Sequence, residues 1–308
     1  MKAALLLALI LGACAPSFAA EAPAPQNRYA ATIAPAESFE VNGMLVERHG
    51  QRGSPMILIP GLSGGSWAWQ DTVRRFSAEH VVYVVTLAGF DGRAPMAGNP
   101  IDNARQSLRQ LIVSRKLDKP VLVGHSLGGA LSIAFAEQDS ALIRGVVAID
   151  GLPVMPRTES MPAAQRAAIG GAMKARMASS SAEQFALDQQ QFMRGTGVVD
   201  MERADELAKL SARSDPGAVG EAAAALIAAD FRPGLKDITV PVLLVAPYFE
   251  PDAVQRGLTR EMAKDYYTSL MAGTPKLQVV SIAPSRHFVM FDQPDMLADT
   301  LRGFLKSL

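Results

Sequence analysis

The chain has 308 residues, with 30 Lys plus Arg against 30 Asp plus Glu, 49% hydrophobic residues and a single cysteine. The formal net charge of +0 leaves no basic footprint for a phosphate backbone, so we expect no nucleic-acid partner. One cysteine excludes an internal disulfide and a cysteine-rich metal site, so a hydrophobic core must hold the fold together. The length fits two domains, or one large α/β domain that carries an insertion.

The N-terminus has the features of an export leader in the expected order. A lysine precedes an apolar run over residues 3–11, which is too short to span a bilayer, and small residues follow. Residues 17–19, Ser-Phe-Ala, are typical of an ordinary cleavage site, whereas Leu-Gly-Ala-Cys at residues 11–14 resembles the lipobox of a lipoprotein. We therefore expect a signal peptide at residues 1–19 and a periplasmic or secreted protein. The alternative is a membrane-anchored lipoprotein with its lipid on Cys14.

After an Ala- and Pro-rich linker at residues 20–36, short apolar runs alternate with longer amphipathic segments over residues 37–308. Several runs consist only of apolar residues, as in central strands of a parallel sheet that is buried on both faces. The alternation predicts right-handed crossovers and a doubly wound, mostly parallel sheet. In chain order, the predicted elements are strand 39–46, strand 56–59, helix 67–78, strand 81–86, helix 101–115, strand 120–123, helix 127–137, strand 145–149, strand 241–245, helix 252–271, strand 277–282 and helix 295–307.

One segment, residues 153–236, interrupts this alternation. It contains Ala-rich and Gln-rich helical stretches and no convincing strand. We predict that it is a helical insertion between two strands of the sheet. Its methionines fit gaps between helices, or an adaptable apolar wall over a substrate pocket.

The decapeptide at residues 121–130, Val-Leu-Val-Gly-His-Ser-Leu-Gly-Gly-Ala, is the most informative part of the sequence. It predicts a buried strand, a Gly-x-Ser-x-Gly turn and a helix of small residues. A serine on such a sharp turn holds its hydroxyl above the sheet, close to the start of a helix. Gly124 and Gly128 leave room for the turn, because a Cβ there would crowd the neighbouring backbone. Ser126 is therefore the candidate nucleophile.

A serine nucleophile needs a base, and the chain offers four histidines. His125 adjoins Ser126, and we expect its side chain to point away from the serine hydroxyl. His49 lies in a predicted turn, and His80 precedes a strand at the wrong end of the sheet. His287 follows the last predicted strand, at the carboxyl end where open α/β sheets place their sites, and is the candidate base.

On these motifs the chain resembles an α/β-hydrolase. Residues 124–128 are similar to the nucleophile elbow of that family, and residues 286–290, Arg-His-Phe-Val-Met, to its histidine loop. Residues 241–245, Pro-Val-Leu-Leu-Val, are similar to the strand that precedes the acid, and the order serine, acid, histidine is also that of the family. The resemblance implies the α/β-hydrolase fold, with residues 153–236 as a cap inserted after the strand that ends near Asp150.

The resemblance also implies an acid a few residues beyond strand 241–245, typically an Asp followed by Pro. The matching position holds Glu250, which precedes Pro251. We favour Glu250 as the acid that holds the tautomer of the imidazole, and Asp252 and Asp150 stay open as alternatives.

Two backbone amides are expected to stabilise an oxyanion. One is the N–H of Leu127, directly after the nucleophile at the start of the helix. The other belongs to the glycine-rich loop at residues 60–65, where the resemblance implies Leu62 as the donor and Ser63 as the alternative. This loop does not fit a phosphate-binding loop, because it lacks the Lys and the Ser or Thr of a Walker sequence.

The motifs together predict a serine hydrolase of the esterase type, which cleaves a small, largely apolar substrate through an acyl-enzyme intermediate. Ser126, Glu250 and His287 would be its catalytic residues. The resemblance also allows the same residues to act on a carbon–carbon bond, on a lactone or in cofactor-free peroxidation. A non-catalytic, hydrolase-like binding protein is the alternative from another class. We expect no cofactor and no metal, because no His or Asp cluster has metal-ligand spacing, and the sequence leaves the oligomeric state open.

Overall fold

The core of the protein is one sheet built from the apolar runs of the sequence. The computed structural model describes residues 27–30 and 32–308, so the predicted signal peptide and Cys14 lie outside the described residues. The strands are β1 (Glu37–Val41), β2 (Met44–His49), β3 (Pro55–Ile59), β4 (Val81–Thr86), β5 (Val121–His125), β6 (Gly145–Ile149), β7 (Val242–Pro247) and β8 (Leu277–Ile282). Their order across the sheet is β1-β2-β4-β3-β5-β6-β7-β8. Strands β3 to β8 pair in parallel, while β1 and β2 form an antiparallel edge. The predicted doubly wound, mostly parallel sheet is confirmed.

Helices cover both faces of the sheet, because its central strands are apolar on each side. Every residue of β5 and β6 is buried. The helices are α1 (Gln70–Phe76), α2 (Pro100–Ser114), α3 (Leu127–Asp139), α4 (Ala163–Ala178), α5 (Ala182–Phe192), α6 (Met201–Ser211), α7 (Pro216–Ala228), α8 (Glu250–Val254), α9 (Arg260–Leu270), α10 (Val289–Asp292) and α11 (Pro294–Lys306). Helix α3 is buried over most of its length, so the residue that precedes it is held by the core.

Two predicted elements are divided in the structure. The predicted strand 39–46 is a hairpin of β1 and β2, because Asn42 and Gly43 both have positive φ, 46° and 74°, as a two-residue hairpin turn requires. The predicted helix 252–271 is the pair α8 and α9. Gly257 lies between them with φ 67°, and the side chain of Thr259 accepts the N–H of Met262 to begin α9.

Helices α4 to α7 lie between β6 and β7, within the segment predicted as a cap. Helix α4 packs against α7, and α5 packs against α6, so the segment consists of two helical pairs. The first pair is close: a Cβ on Gly170 of α4 would lie 2.7 Å from the carbonyl oxygen of Ala224 in α7. We call residues 153–236 the cap.

The described part of the predicted linker packs on the domain. The side-chain amide of Asn27 donates to the carbonyl oxygen of Glu206 in α6 at 2.7 Å. Arg203 Nε, also in α6, donates to the Tyr29 hydroxyl at 3.1 Å, and the Tyr29 ring meets Phe291 edge to face at 5.5 Å. Within the described residues, no helix combines the length and the apolar character needed to cross a membrane.

Candidate active site

Ser126 lies in a sharp turn between β5 and α3. Its φ of 52° and ψ of −117° are a strained conformation for a residue with a side chain, which costs about 1–3 kcal/mol. The backbone is held there because the N–H of Ser126 donates to the carbonyl oxygen of Ile149 at 2.9 Å. A Cβ on Gly124 would lie 2.0 Å from the Gly128 carbonyl oxygen, and one on Gly128 would lie 2.2 Å from the Ile59 carbonyl oxygen. Both glycines are therefore required by the close approach of backbone.

His287 lies in the loop between β8 and α10, and its hydrogen-bond partner is Asp150. The Nδ1 atom of His287 lies 2.5 Å from Oδ2 of Asp150, which follows β6. The second carboxylate oxygen, Oδ1, accepts the hydroxyl of Tyr267 from α9, also at 2.5 Å. The side chains of His287 and Asp150 are only 17% and 13% exposed. Each oxygen of the Asp150 carboxylate therefore accepts one hydrogen bond, and the carboxylate is largely shielded from solvent.

These contacts determine where the hydrogens lie on Asp150, Tyr267 and His287. Burial raises the pKa of the Asp150 carboxyl, but the charge of His287 and the hydrogen bonds from His287 and Tyr267 outweigh it, so the pKa lies below its ordinary value. Burial, followed by the charge of Asp150, raises the pKa of Tyr267 well above that of an ordinary phenol, so Tyr267 stays a donor. With Asp150 ionised, Nδ1 of His287 carries the hydrogen and Nε2 is left as an acceptor.

The structure does not bring Glu250, the predicted acid, to His287. Glu250 is the exposed first residue of α8 and has no hydrogen bond with His287. The carboxylate of Asp252 accepts from Nε and Nη2 of Arg286, both at 2.8 Å, so it is engaged elsewhere. The chain stays paired with β8 past the end of β7, through Tyr248 N–H to the carbonyl oxygen of Ile282, and then turns into α8. This turn carries the matching position to the surface.

Asp150 takes that place because it ends the neighbouring strand. Its φ of 47° and the hydrogen bond from its N–H to the Val245 carbonyl oxygen, 2.9 Å long, fix its backbone at the carboxyl end of β6. The alternative acid of the sequence analysis is therefore the residue that the structure brings to His287. Sequence position after a strand was the signal for it, but the adjoining Tyr267 had no signal in the sequence.

His125, which precedes Ser126, packs against the loop that carries His287. It is fully buried, and its Nε2 lies 3.0 Å from the carbonyl oxygen of His287. Its ring centre is 4.6 Å from that of His287 and 4.5 Å from that of Phe288. Burial, followed by the charge of His287, lowers the pKa of His125 to about 3, so the ring is neutral at ordinary pH and Nε2–H donates to the carbonyl.

The glycine-rich loop lies directly on the elbow. A Cβ on Gly61 would be 2.9 Å from Nδ1 of His125 and 3.0 Å from Cβ of Ser126. Leu62 follows, and Ser63 has φ 57° and is buried. Within residues 27–30 and 32–308, the N–H groups of Leu62, Ser63 and Leu127 have no hydrogen-bond acceptor. These amides are free to bind an oxyanion, and the one on Leu127 also lies at the positive end of α3.

The cap reaches the histidine loop. A turn of π-helix at Met193–Gly197 follows α5, and the carbonyl oxygens of Thr196 and Gly197 accept the N–H groups of His287 and Phe288 at 3.2 and 2.9 Å. The ring of Phe192 meets that of His287 edge to face at 5.8 Å. The cap thus covers His287 through both backbone and side chain.

Two cavities adjoin these residues. One of about 680 Å³ is lined by Asp150 and His287, with Tyr266 and Tyr267 of α9. Another, of about 390 Å³ and mostly apolar, lies between α2, α3 and α7 and includes Leu127. Ser126 is half-buried and lines neither of the two. Across the described part of the chain, no group of three or more His, Cys, Asp or Glu side chains could hold a metal ion.

Sequence comparison finds one family and a set of partial relatives. Residues 56–300 match the sequence profile of the alpha/beta hydrolase family. The 2-succinyl-6-hydroxy-2,4-cyclohexadiene-1-carboxylate synthase of Escherichia coli (strain K12 / DH10B) is 32% identical over 120 residues, which are 39% of this chain and 47% of that protein. The chain therefore spans about half the length of the curated relatives it matches.

Structure comparison finds the same fold in a lactonase and an esterase. The enol-lactonase of Burkholderia xenovorans LB400 is similar with a TM-score of 0.67 and 19% identity, over 88% of this chain and 100% of that one. The thermophilic esterase of Thermogutta terrifontis is similar with a TM-score of 0.71 and 17% identity, over 88% and 99%. At these identities the likeness shows the fold.

Proposed function

We propose, from the premise that this chain belongs to the α/β-hydrolase family, that it is a hydrolase that cleaves ester bonds of small, largely apolar substrates. In this proposal Ser126 is the nucleophile, His287 the base and Asp150 the acid. The observation that carries it is the hydrogen bond between His287 Nδ1 and Asp150 Oδ2, which leaves Nε2 as a proton acceptor. The esterase and the lactonase among the similar structures are consistent with this bond class.

The reaction would proceed in two halves. Oγ of Ser126 attacks the ester carbonyl while Nε2 of His287 takes the hydroxyl proton, and Asp150 stabilises the imidazolium that forms. The tetrahedral intermediate collapses, the imidazolium gives its proton to the departing alcohol, and an acyl-enzyme remains. Water then attacks the acyl carbon with His287 as the base, and the proton returns to Ser126 as the acid is released.

The oxyanion of both intermediates would be bound by the N–H groups of Leu62 and Leu127. These donors are prearranged, since Gly61 packs the loop against Ser126 and Leu127 begins a buried helix. A prearranged donor does not have to reorient as charge develops, and one such donor contributes about 3 kcal/mol in measured enzymes.

The Ser126 hydroxyl has no hydrogen bond with a described residue in this structure. The proposed attack needs that hydroxyl to donate to Nε2 of His287. Hydrogen bonds of this kind are often long or unformed without substrate and tighten in the reacting complex. We therefore expect the Ser126 side chain to turn to His287 when substrate fills the site.

A second candidate function uses the same residues on a substrate other than an ester. The observation that favours it is the 32% identity with the E. coli synthase, which covers 120 residues of this chain. The non-catalytic alternative, a binding protein, would need none of the hydrogen bonds on Asp150.

Hydrolysis of short-chain nitrophenyl esters by the purified protein tests the proposal, together with labelling by a fluorophosphonate. We expect the wild type to be labelled once and Ser126→Ala to lose both the label and about 10³-fold or more of the turnover. His287→Gln should lose turnover similarly. His80→Gln is the matched control, because His80 contacts Ser54 and not Ser126. Wild-type turnover and labelling in Ser126→Ala would overturn the proposal. A labelled wild type that hydrolyses no ester would favour the second candidate, and an unlabelled wild type that hydrolyses no ester would favour the binding protein.

A further inference from the structure

We propose that Tyr267 is a positioning residue for the acid: its hydroxyl holds the Asp150 carboxylate so that Oδ2 faces His287. This inference rests on the proposed function, because it assigns a residue to the same site. Tyr267 lies more than a hundred positions from Asp150 in the sequence, in α9, and no motif of the sequence contains it.

The first step is the geometry of the carboxylate. Oδ1 of Asp150 lies 2.5 Å from the Tyr267 hydroxyl, and Oδ2 lies 2.5 Å from Nδ1 of His287. A carboxylate that turns about its Cβ–Cγ bond moves both oxygens, so a donor on Oδ1 also fixes the direction of Oδ2. His287 alone would leave this rotation to one hydrogen bond.

The second step is the rigidity of the donor. Tyr267 belongs to a regular helix, and α9 packs on strands β7 and β8. Its ring meets that of Tyr266 edge to face at 6.3 Å. A donor on a packed helix holds its partner more closely than a donor on a loop, which suits a residue that orients a reacting group.

The third step is electrostatic. The phenol stays protonated, because burial, followed by the charge of Asp150, raises the pKa of Tyr267. It can therefore only donate to the carboxylate, and a donated hydrogen bond favours the ionised form. Removing the hydroxyl leaves Oδ1 of a carboxylate that is only 13% exposed without this donor. The Asp150 carboxylate is then less stabilised, and its Oδ2 is less firmly oriented towards His287.

The neighbouring tyrosine provides a matched control. The hydroxyl of Tyr266 donates to the carboxylate of Glu159 at 3.3 Å and accepts the N–H of Arg157 at 2.9 Å. Both tyrosines lie in α9 and line the cavity of about 680 Å³. Tyr266→Phe therefore removes the same atom from the same helix and the same cavity, but from a different carboxylate.

The experiment compares Tyr267→Phe, Tyr266→Phe and the wild type in ester hydrolysis across pH. A charge-assisted hydrogen bond of this kind corresponds to about a 10- to 100-fold change, so we expect kcat of Tyr267→Phe to fall by that factor with KM within about twofold. The acid limb of its kcat/KM profile should move to higher pH, because the Asp150 carboxyl loses a donor that lowers its pKa and therefore keeps its charge less readily. Tyr266→Phe should leave the pH profile in place, and its kcat should fall by less than that of Tyr267→Phe.

A double-mutant cycle separates positioning from a general effect on folding. If Tyr267 acts through Asp150, Tyr267→Phe should lower kcat no further in an Asp150→Ala background. An equal loss in both backgrounds would overturn the inference, as would a Tyr267→Phe enzyme with the kcat and pH profile of Tyr266→Phe.

Proton NMR of the enzyme without substrate separates this inference from the proposed function. The hydrogen between His287 Nδ1 and Asp150 should give a low-field resonance that shifts in Tyr267→Phe and stays in place in Tyr266→Phe. A resonance that is the same in both variants would refute the positioning role, whatever the activity. An inactive, unlabelled wild type in which only Tyr267→Phe shifts the resonance would refute the esterase and leave the positioning role supported.

Discussion

Exchanging the acid beside His287 is the sharpest test of the site. In Asp150→Asn the side chain keeps its shape and loses its charge. The new amide can donate to Nδ1, and Nδ1 then becomes the acceptor of the imidazole. The hydrogen moves to Nε2, which can no longer take the proton of Ser126. In the proposed mechanism the variant therefore removes the base while the residues around it stay in place.

The expected loss is large because the pair is close and dry. Nδ1 and Oδ2 are 2.5 Å apart, and the two side chains are only 17% and 13% exposed, so water cannot replace the carboxylate. Loss of the correct tautomer in a serine, histidine and aspartate group lowers kcat by about 10⁴-fold in a well-studied protease. We expect about 10³- to 10⁴-fold for Asp150→Asn, with KM little changed.

Glu250→Gln and Asp252→Asn are the controls in this assay of nitrophenyl ester turnover. Glu250 is exposed and has no contact with His287, so its variant should retain kcat within about twofold. Asp252→Asn breaks the pair with Arg286 and should cost less than Asp150→Asn, because Arg286 keeps its hydrogen bonds to the backbone of Arg194 and Val198. A Glu250→Gln enzyme that loses more turnover than Asp150→Asn would refute the assignment of the acid.

Three other outcomes follow from the same structure. Gly124→Ala should lower the thermal midpoint by an amount equivalent to about 1–3 kcal/mol or more, because its Cβ would lie 2.0 Å from a backbone oxygen. The control is Gly171→Ala in α4, which has open space around it and should not destabilise the protein. The pKa of Asp150 is lower in the folded than in the unfolded protein, so its ionised carboxylate stabilises the fold at neutral pH, and this stability is lost as the pH falls through the pKa of the folded form. Asp150→Asn should therefore lower the free energy of unfolding at neutral pH and make it decline less in acid, as measured by denaturant titration. We propose export from residues 1–19, and cell fractionation of the wild type and Cys14→Ser tests it. An ordinary signal peptide predicts that both proteins are found in the same soluble exported fraction. A membrane-bound fraction that is present in the wild type and lost in Cys14→Ser would indicate a lipoprotein.

The parts of the site that could be predicted are those fixed by local backbone. The turn at Ser126 follows from Gly124 and Gly128, since only a residue without Cβ fits so close to a carbonyl oxygen. The central strands were also evident, because burial on both faces demands an unbroken apolar run. The hairpin at Asn42 had an equally local signal in its Asn-Gly pair, which the apolar pattern of strand 39–46 concealed.

The partner of His287 could not be predicted in this way because it depends on which strand end lies beside the histidine loop. Asp150 follows β6 and Glu250 follows β7. Glu250 lies away from His287 because of the path that the chain takes after β7. That path is set by the pairing of Tyr248 with Ile282 and by the start of α8, which are contacts between distant segments. Periodicity identifies a strand and its end, but not the direction of the loop after it.

The cap is part of the framework that holds both loops of the site. Its Ser214 hydroxyl donates to the carbonyl oxygen of Ser63 in the glycine-rich loop at 3.2 Å and accepts the N–H of Asp91 at 2.9 Å. Between α5 and α6 of the cap, the carbonyl oxygen of Thr196 accepts the N–H of His287. A rigid swing of the whole cap would break these hydrogen bonds and displace the glycine-rich loop and His287 together. The two sets of hydrogen bonds therefore oppose a rigid swing of the cap, since each ties it to a different loop of the site.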